Sequence, residues 1–157
     1  MTNAQNLLND EIKALKELMD LNNDATSFYA KAQEKVKDKS LQETLREFEL
    51  LHKQAMLNFK EQLEATSSDQ ETHKPEETVL GQANKMFTQV LTEFQDKPDD
   101  RFVQQLEEAE DRCLNRLEEA MKTPEITEST KKVMEDEMAR MRKSHDTMKS
   151  LKDKIAA

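Results

Sequence analysis

The sequence predicts an all-α fold, an antiparallel bundle of four long helices with a short extra helix in one connection. The chain has one Gly and three Pro among 157 residues, too few for the turns that a β-sheet of this size requires. Apolar residues make up only 35% of the chain, yet they recur every three or four positions, which is the period of an amphipathic helix. The length predicts a single domain over residues 1–157.

The first predicted helix covers about residues 3–36 and carries two apolar faces. A second face through Ile12, Leu15, Met19 and Tyr29 accompanies the main stripe. One bundle core covers only about a third of a helix circumference, so the surplus apolar surface predicts a homodimer. The main stripe has these members: Ala14, Leu18, Leu21, Ala25, Phe28 and Ala32.

The second predicted helix covers about residues 40–65, after a break at residues 37–39. Ser40 and Glu43 have the spacing of a capping box at its start. Its stripe contains a histidine among apolar residues: Leu41, Leu45, Phe48, His52, Ala55, Phe59 and Leu63. A third, shorter helix is predicted at about residues 75–95, with Pro75 in its first turn.

The fourth predicted helix covers about residues 98–122, and the fifth covers about residues 124–155, with Thr123 as N-cap and Pro124 at its first position. Short connections predict two antiparallel hairpins, so the third helix lies in the crossover between core helices two and three. The stripes predict ten buried side chains: Leu18, Phe28, Leu45, Phe48, Phe59, Leu106, Leu117, Met138, Met141 and Met148.

Charge and cysteine content restrict the possible partners and compartment. Lys and Arg total 24 against 33 Asp and Glu, which gives a net charge of −9 and argues against nucleic-acid binding. Cys113 has no second cysteine to pair with, which fits a reducing compartment. No signal-like N-terminus and no long apolar run occurs, so we expect a cytoplasmic protein that does not contact membranes.

Several short motifs resemble a bacterial ferritin-like family of unknown function. They are Leu-Glu-Glu-Ala-Glu-Asp at 106–111, Glu-Ala-Met at 119–121, His-Asp at 145–146, Leu-Lys-Asp at 151–153 and Leu-Asn-Asp-Glu-Ile at 8–12. Their order follows the family's order over nearly the whole chain. The resemblance implies a ferritin-like bundle with one long crossover and relatives among small stress-induced bacterial proteins.

Five residues are candidates for a metal site. Ferritin-like di-metal sites take a Glu from each of two helices and a Glu-x-x-His from each of the other two. Glu49 and His52 form one such pair on the second helix. Glu107 and Glu110 have the same spacing on the fourth helix, and His145 lies on the stripe of the fifth. All five fall near mid-helix, so together they predict a site for iron or another divalent transition metal.

The pattern also departs from a complete di-metal site. Arg142 stands three residues before His145, where a second Glu-x-x-His would need a carboxylate. The first helix offers only Asp20 and Asp24, whose side chains are shorter. We therefore expect Arg142 to contact one of the three candidate glutamates and replace the metal as counter-charge. Two hypotheses follow.

The first hypothesis is a non-catalytic, stress-associated bundle with a degenerate metal site and no cofactor. The second is a metal-binding ferritin-like protein or oxidoreductase with a di-iron or single-metal centre. The glutamate and histidine spacing favours the second hypothesis, whereas Arg142 and the incomplete first helix favour the first.

Overall fold

The computed structural model describes residues 3–67 and 100–156 and contains four helices. They are α1 (Asn3–Lys35), α2 (Lys39–Thr66), α3 (Asp100–Met121) and α4 (Glu128–Ala156). Neither described range contains a β-strand, which confirms the all-α prediction. The helix predicted at 75–95 lies outside the described residues, so α3 and α4 correspond to the fourth and fifth predicted helices. Within the described ranges no helix combines the length and apolar content needed to cross a membrane.

Contacts at the two ends of the bundle fix the direction of each helix. At one end, Thr130 of α4 accepts a hydrogen bond from Gln62 of α2 (2.9 Å) and donates one to Glu11 of α1 (3.2 Å). The helices α1 and α4 therefore run in one direction and α2 and α3 in the other, so the connection from α2 to α3 is a crossover. At the opposite end, one apolar cluster contains residues from all four helices: Ala32, Leu41, Val103 and Met148.

The start of α2 differs from the prediction. The N-cap is Asp38, whose carboxylate accepts a hydrogen bond from the backbone N–H of Leu41 (2.8 Å). Ser40, predicted as the cap, lies inside the first turn of the helix. Aspartate is among the preferred N-cap residues, because its short side chain can accept a hydrogen bond from a backbone N–H of the first turn.

The start of α4 also differs, because Pro124 lies in a turn and the helix begins four residues later, at Glu128. Glu11 of α1 accepts hydrogen bonds from both the backbone N–H and the hydroxyl of Thr127. A helix N-terminus leaves backbone N–H groups without partners inside the helix. Here a carboxylate from another helix contacts that end, which no local sequence signal indicates.

Two apolar clusters form the core, and all ten side chains predicted to be buried are buried. Four buried polar residues, one from each helix, lie among the apolar residues of these clusters, and we call them the polar layer: Asn22, His52, Glu110 and Ser144. On α2, for example, Phe48 belongs to one cluster and Ala55 to the other, with His52 between them.

The second apolar face of α1 is buried within the single chain. Leu15, Met19 and Tyr29 are fully enclosed, and Ile12 packs against the core. The argument that this face is surplus and needs a partner chain is therefore wrong. The helix α1 packs against both α2 and α3, so its covered surface is wider than that of a helix with one neighbour.

Candidate functional site

The centre of the polar layer is a buried pair formed by His52 and Glu110. His52 Nε2 lies 2.7 Å from Glu110 Oε1, and both side chains are almost completely buried. The hydroxyl of Tyr29 also donates a hydrogen bond to Glu110 Oε1. The same carboxylate oxygen thus accepts a hydrogen bond from Tyr29 of α1 and faces a ring nitrogen of His52 on α2.

Asn22 determines which protons the His52 ring carries. The amide Nδ2 of Asn22 donates to the backbone oxygen of Leu18 (2.7 Å), so its Oδ1 is the atom that faces His52 Nδ1 (2.8 Å). An amide oxygen only accepts, so Nδ1 must carry a hydrogen. An ionised carboxylate also only accepts, so Nε2 carries a hydrogen toward Glu110 Oε1 and the His52 ring is an imidazolium. This assignment follows from the hydrogen-bond network.

The electrostatics of Glu110 and Tyr29 agree with this assignment. Burial raises the pKa of Glu110, but the charge of His52 and hydrogen bonds from His52 and Tyr29 outweigh it and lower the pKa overall. Burial and the Glu110 charge raise the pKa of Tyr29 well above its ordinary value, so its hydroxyl remains a donor. The Tyr29 ring also stacks on the His52 ring, with centroids 5.5 Å apart. The lowered pKa of Glu110 keeps its carboxylate ionised, as the hydrogen-bond assignment requires.

The lowered pKa of Glu110 predicts an acid-dependent loss of stability. A carboxyl group whose pKa is lower in the folded than in the unfolded state stabilises the fold fully above the unfolded pKa, near 4.3. That contribution declines as the pH falls below about 4.3 and through the folded pKa. The difference in unfolding free energy between wild type and Glu110→Gln should therefore shrink in this range, as measured by urea unfolding. A difference that stays constant from about pH 5 to about pH 2 would contradict it.

A second group of ionisable side chains lies on the surface between α3 and α4, and we call it the α3–α4 cluster. His145 Nε2 of α4 lies 2.8 Å from Asp111 Oδ1 and 3.7 Å from Glu107 Oε1, both on α3. One ligand atom from each residue lies within 4.8 Å of the others. His145 and Glu107 are half-buried, with side chains 24% and 16% exposed, whereas Asp111 is 48% exposed. The cluster is thus accessible from solvent on one side.

The α3–α4 cluster has donors that divalent transition metals use. Glu107 and Asp111 are four residues apart and share one face of α3. One imidazole and two carboxylates suit ions such as Zn²⁺, Fe²⁺ and Mn²⁺, and three protein ligands leave positions for water. His145 Nδ1 faces the carboxylate of Asp146 at 3.8 Å. A carboxylate on the far side of a ligating imidazole helps to orient its ring.

The structure divides the five predicted metal residues among three places. His52 and Glu110 form the buried pair, and Glu107 and His145 join the α3–α4 cluster. Glu49 belongs to neither group, because its carboxylate accepts a hydrogen bond from Gln33 (2.9 Å). The five residues do not surround one position, and His52 already supplies a cation to Glu110. The residues present therefore do not fit a buried di-metal centre.

Arg142 does not take the predicted role of counter-charge. Its side chain is 61% exposed and lies 3.6 Å from Glu118, another surface residue. The prediction that it contacts Glu49, Glu107 or Glu110 is therefore wrong. Because α4 is rotated so that Met141 and Ser144 are buried, the side chain of Arg142 points to solvent.

Sequence reasoning missed three residues of these two groups. Asp111 stands four residues after Glu107, and that spacing alone could have added it to the candidates. The apolar spacing places Tyr29 on an apolar face of α1 and gives Asn22 no role. A buried Tyr hydroxyl and Asn amide need hydrogen-bond partners, which was the available signal for both.

Residues 10–123 match a sequence family described as a domain of unknown function (DUF2383). The match contains α2 and α3 with the His52–Glu110 pair, and it ends before α4 and His145. Neither a curated protein nor a solved structure matches the chain.

Proposed function

Because the chain belongs to the family described as a domain of unknown function (DUF2383), we propose a function from the geometry of its ionisable groups. The protein is a non-catalytic, stress-associated ferritin-like bundle of bacterial origin that binds one divalent transition-metal ion at the α3–α4 cluster. The observation that carries this proposal is the convergence of Glu107, Asp111 and His145 within 4.8 Å.

The contrast between the two groups supports this location for the metal. A buried carboxylate requires a compensating cation, and His52 provides one for Glu110 at 2.7 Å. The α3–α4 cluster has two carboxylates around one half-buried imidazole. A divalent cation bound by the neutral imidazole balances both carboxylates, and it reaches the cluster directly from solvent.

The direction of the helices supports the ferritin-like part of the proposal. Ferritin-like folds differ from simple up-down bundles by one long crossover. Here the end of α2 and the start of α3 lie at opposite ends of the bundle, and residues 67 and 100 bound that connection. The bacterial origin and stress-associated role rest on the motifs at 106–111 and 145–146, which resemble those of the ferritin-like family.

Metal titration of the purified protein tests the proposal. Zn²⁺, Mn²⁺ or anaerobic Fe²⁺ is expected to stabilise the wild type, by about 2.7 kcal/mol at a metal concentration one hundred times Kd. His145→Ala and Asp111→Asn each remove a ligand. Each variant should therefore need a metal concentration at least about ten times higher for the same stabilisation. Glu108→Gln changes an exposed neighbour on the same helix and should leave it unchanged.

The chelated protein provides a second measurement. Since His52 supplies the cation for the buried carboxylate, metal-free protein should fold and keep its helical circular dichroism spectrum. Stabilisation that persists in both ligand variants would place the metal elsewhere. No stabilisation of wild type by any of the three ions would reject the proposal.

A further inference from the structure

Two leucines on α2 are exposed, and they are the large apolar residues with that property among the described residues. Leu50 is 56% exposed and Leu57 is 42% exposed. Seven residues are about two helical turns, so both side chains lie on one outer face, about 10 Å apart along the axis. Phe48, His52 and Phe59 occupy the opposite, inner face of the same helix. We call the outer face the Leu50–Leu57 face.

We propose that the Leu50–Leu57 face binds the same face of a second copy of this chain, with the two α2 helices antiparallel. A two-fold axis between residues 53 and 54 places Leu50 opposite Leu57 of the partner subunit. The same operation places Leu57 opposite Leu50 of the partner subunit, so both leucines are covered. A two-fold dimer is the commonest closed assembly.

One oppositely charged pair beside the leucines supports the antiparallel arrangement. Arg46 precedes Leu50 by four residues, and Glu61 follows Leu57 by four residues. The two-fold axis therefore places Arg46 opposite Glu61 of the partner subunit, and symmetry repeats this contact. Both residues are exposed in the single chain. In a parallel arrangement each would instead face its own copy, and like charges would repel.

The small apolar area sets the expected strength of the dimer. A contact between single helices around two leucines is below the roughly 1,200 Å² of total area that stable interfaces bury. Each chain also carries a net charge of −9, which opposes association at low salt. We therefore expect a weak dimer whose population rises with protein concentration and with moderate salt.

Charge reversal tests the proposed register. Arg46→Glu and Glu61→Arg each place like charges opposite one another twice across the axis, and each should abolish the dimer. The double variant restores opposite charges in reversed order and should restore the dimer, as measured by analytical ultracentrifugation between about 10 µM and about 500 µM. The two positions are 15 residues apart on α2, so recovery in the double variant is not a local helix effect.

Cysteine cross-linking tests the direction of the helices. Gln54 lies beside the proposed axis, so Gln54→Cys should form a disulfide-linked dimer under mild oxidation. Glu43→Cys lies on the same helix but roughly 30 Å from its symmetry mate in the antiparallel arrangement, and it should stay monomeric. The native Cys113 is buried, and burial raises the pKa of its thiol, so it does not compete.

The outcomes separate the proposal from its alternatives. A wild-type protein that is monomeric up to about 500 µM would overturn the proposal. This result is expected if another segment of the chain covers the leucines. Efficient cross-linking of Glu43→Cys would indicate a parallel or different contact and would also overturn it. The α3–α4 cluster is not part of this face, so loss of metal binding has no bearing on the result.

Discussion

Replacing Glu110 with alanine is expected to lower the free energy of unfolding by about 3–5 kcal/mol. The substitution leaves the His52 imidazolium buried without its counter-charge and removes the acceptor of the Tyr29 hydroxyl. An uncompensated buried charge costs far more than the net worth of the pair. Urea unfolding at neutral pH, followed by circular dichroism, measures the change. Glu108→Ala, at an exposed position on the same helix, should change stability by no more than about 0.5 kcal/mol.

Removing the charged pair together with the Tyr29 hydroxyl distinguishes a broken pair from a simple loss of volume. A variant with His52→Leu, Glu110→Met and Tyr29→Phe replaces the charges and the hydroxyl with apolar groups of similar size. Replacing a buried ion pair in this way is often neutral or stabilising. We expect the triple variant to recover most of the stability lost in Glu110→Ala. A triple variant as unstable as the single one would contradict this account.

Replacing Phe48 with alanine is expected to cost about 3–5 kcal/mol. The side chain is almost fully buried, and its ring contacts the edge of Tyr29 with centroids 5.5 Å apart. The substitution therefore leaves a cavity beside the polar layer. Leu50→Ala, two residues away on the outer face, should cost less than about 0.5 kcal/mol in dilute solution. A cost below about 1 kcal/mol for Phe48→Ala would mean that neighbouring side chains fill the cavity.

The helices and most of the core follow from the spacing of apolar residues alone. Predicted helix ends at residues 36 and 65 differ by one residue from Lys35 and Thr66. Burial of His52 also followed from its position on the α2 stripe. The spacing of apolar residues within one helix marks the positions that the helix buries, so this information is local.

The contacts between helices could not be predicted in the same way. Arg142 and His145 are three residues apart, yet His145 contacts Glu107 and Asp111 of α3, whereas Arg142 contacts Glu118 of the same helix. That choice depends on the rotation of α4 and on its position along the bundle axis. Similarly, the contact between Glu11 and Thr127 joins residues 116 positions apart. Periodicity within one helix contains neither kind of information.

The polar layer has a consequence for alignment along the bundle axis. Met134, Met138, Met141 and Met148 of α4 are buried, and methionine adapts its shape to irregular space, so the packing of this helix tolerates sliding past its neighbours. The contacts of Glu110 with His52 and Tyr29 instead fix α3 against α1 and α2, because a displacement of one turn, about 5.4 Å, would separate them. We therefore expect variants without the charged pair to stay folded but to sample several axial offsets, visible as broadened amide signals in NMR spectra.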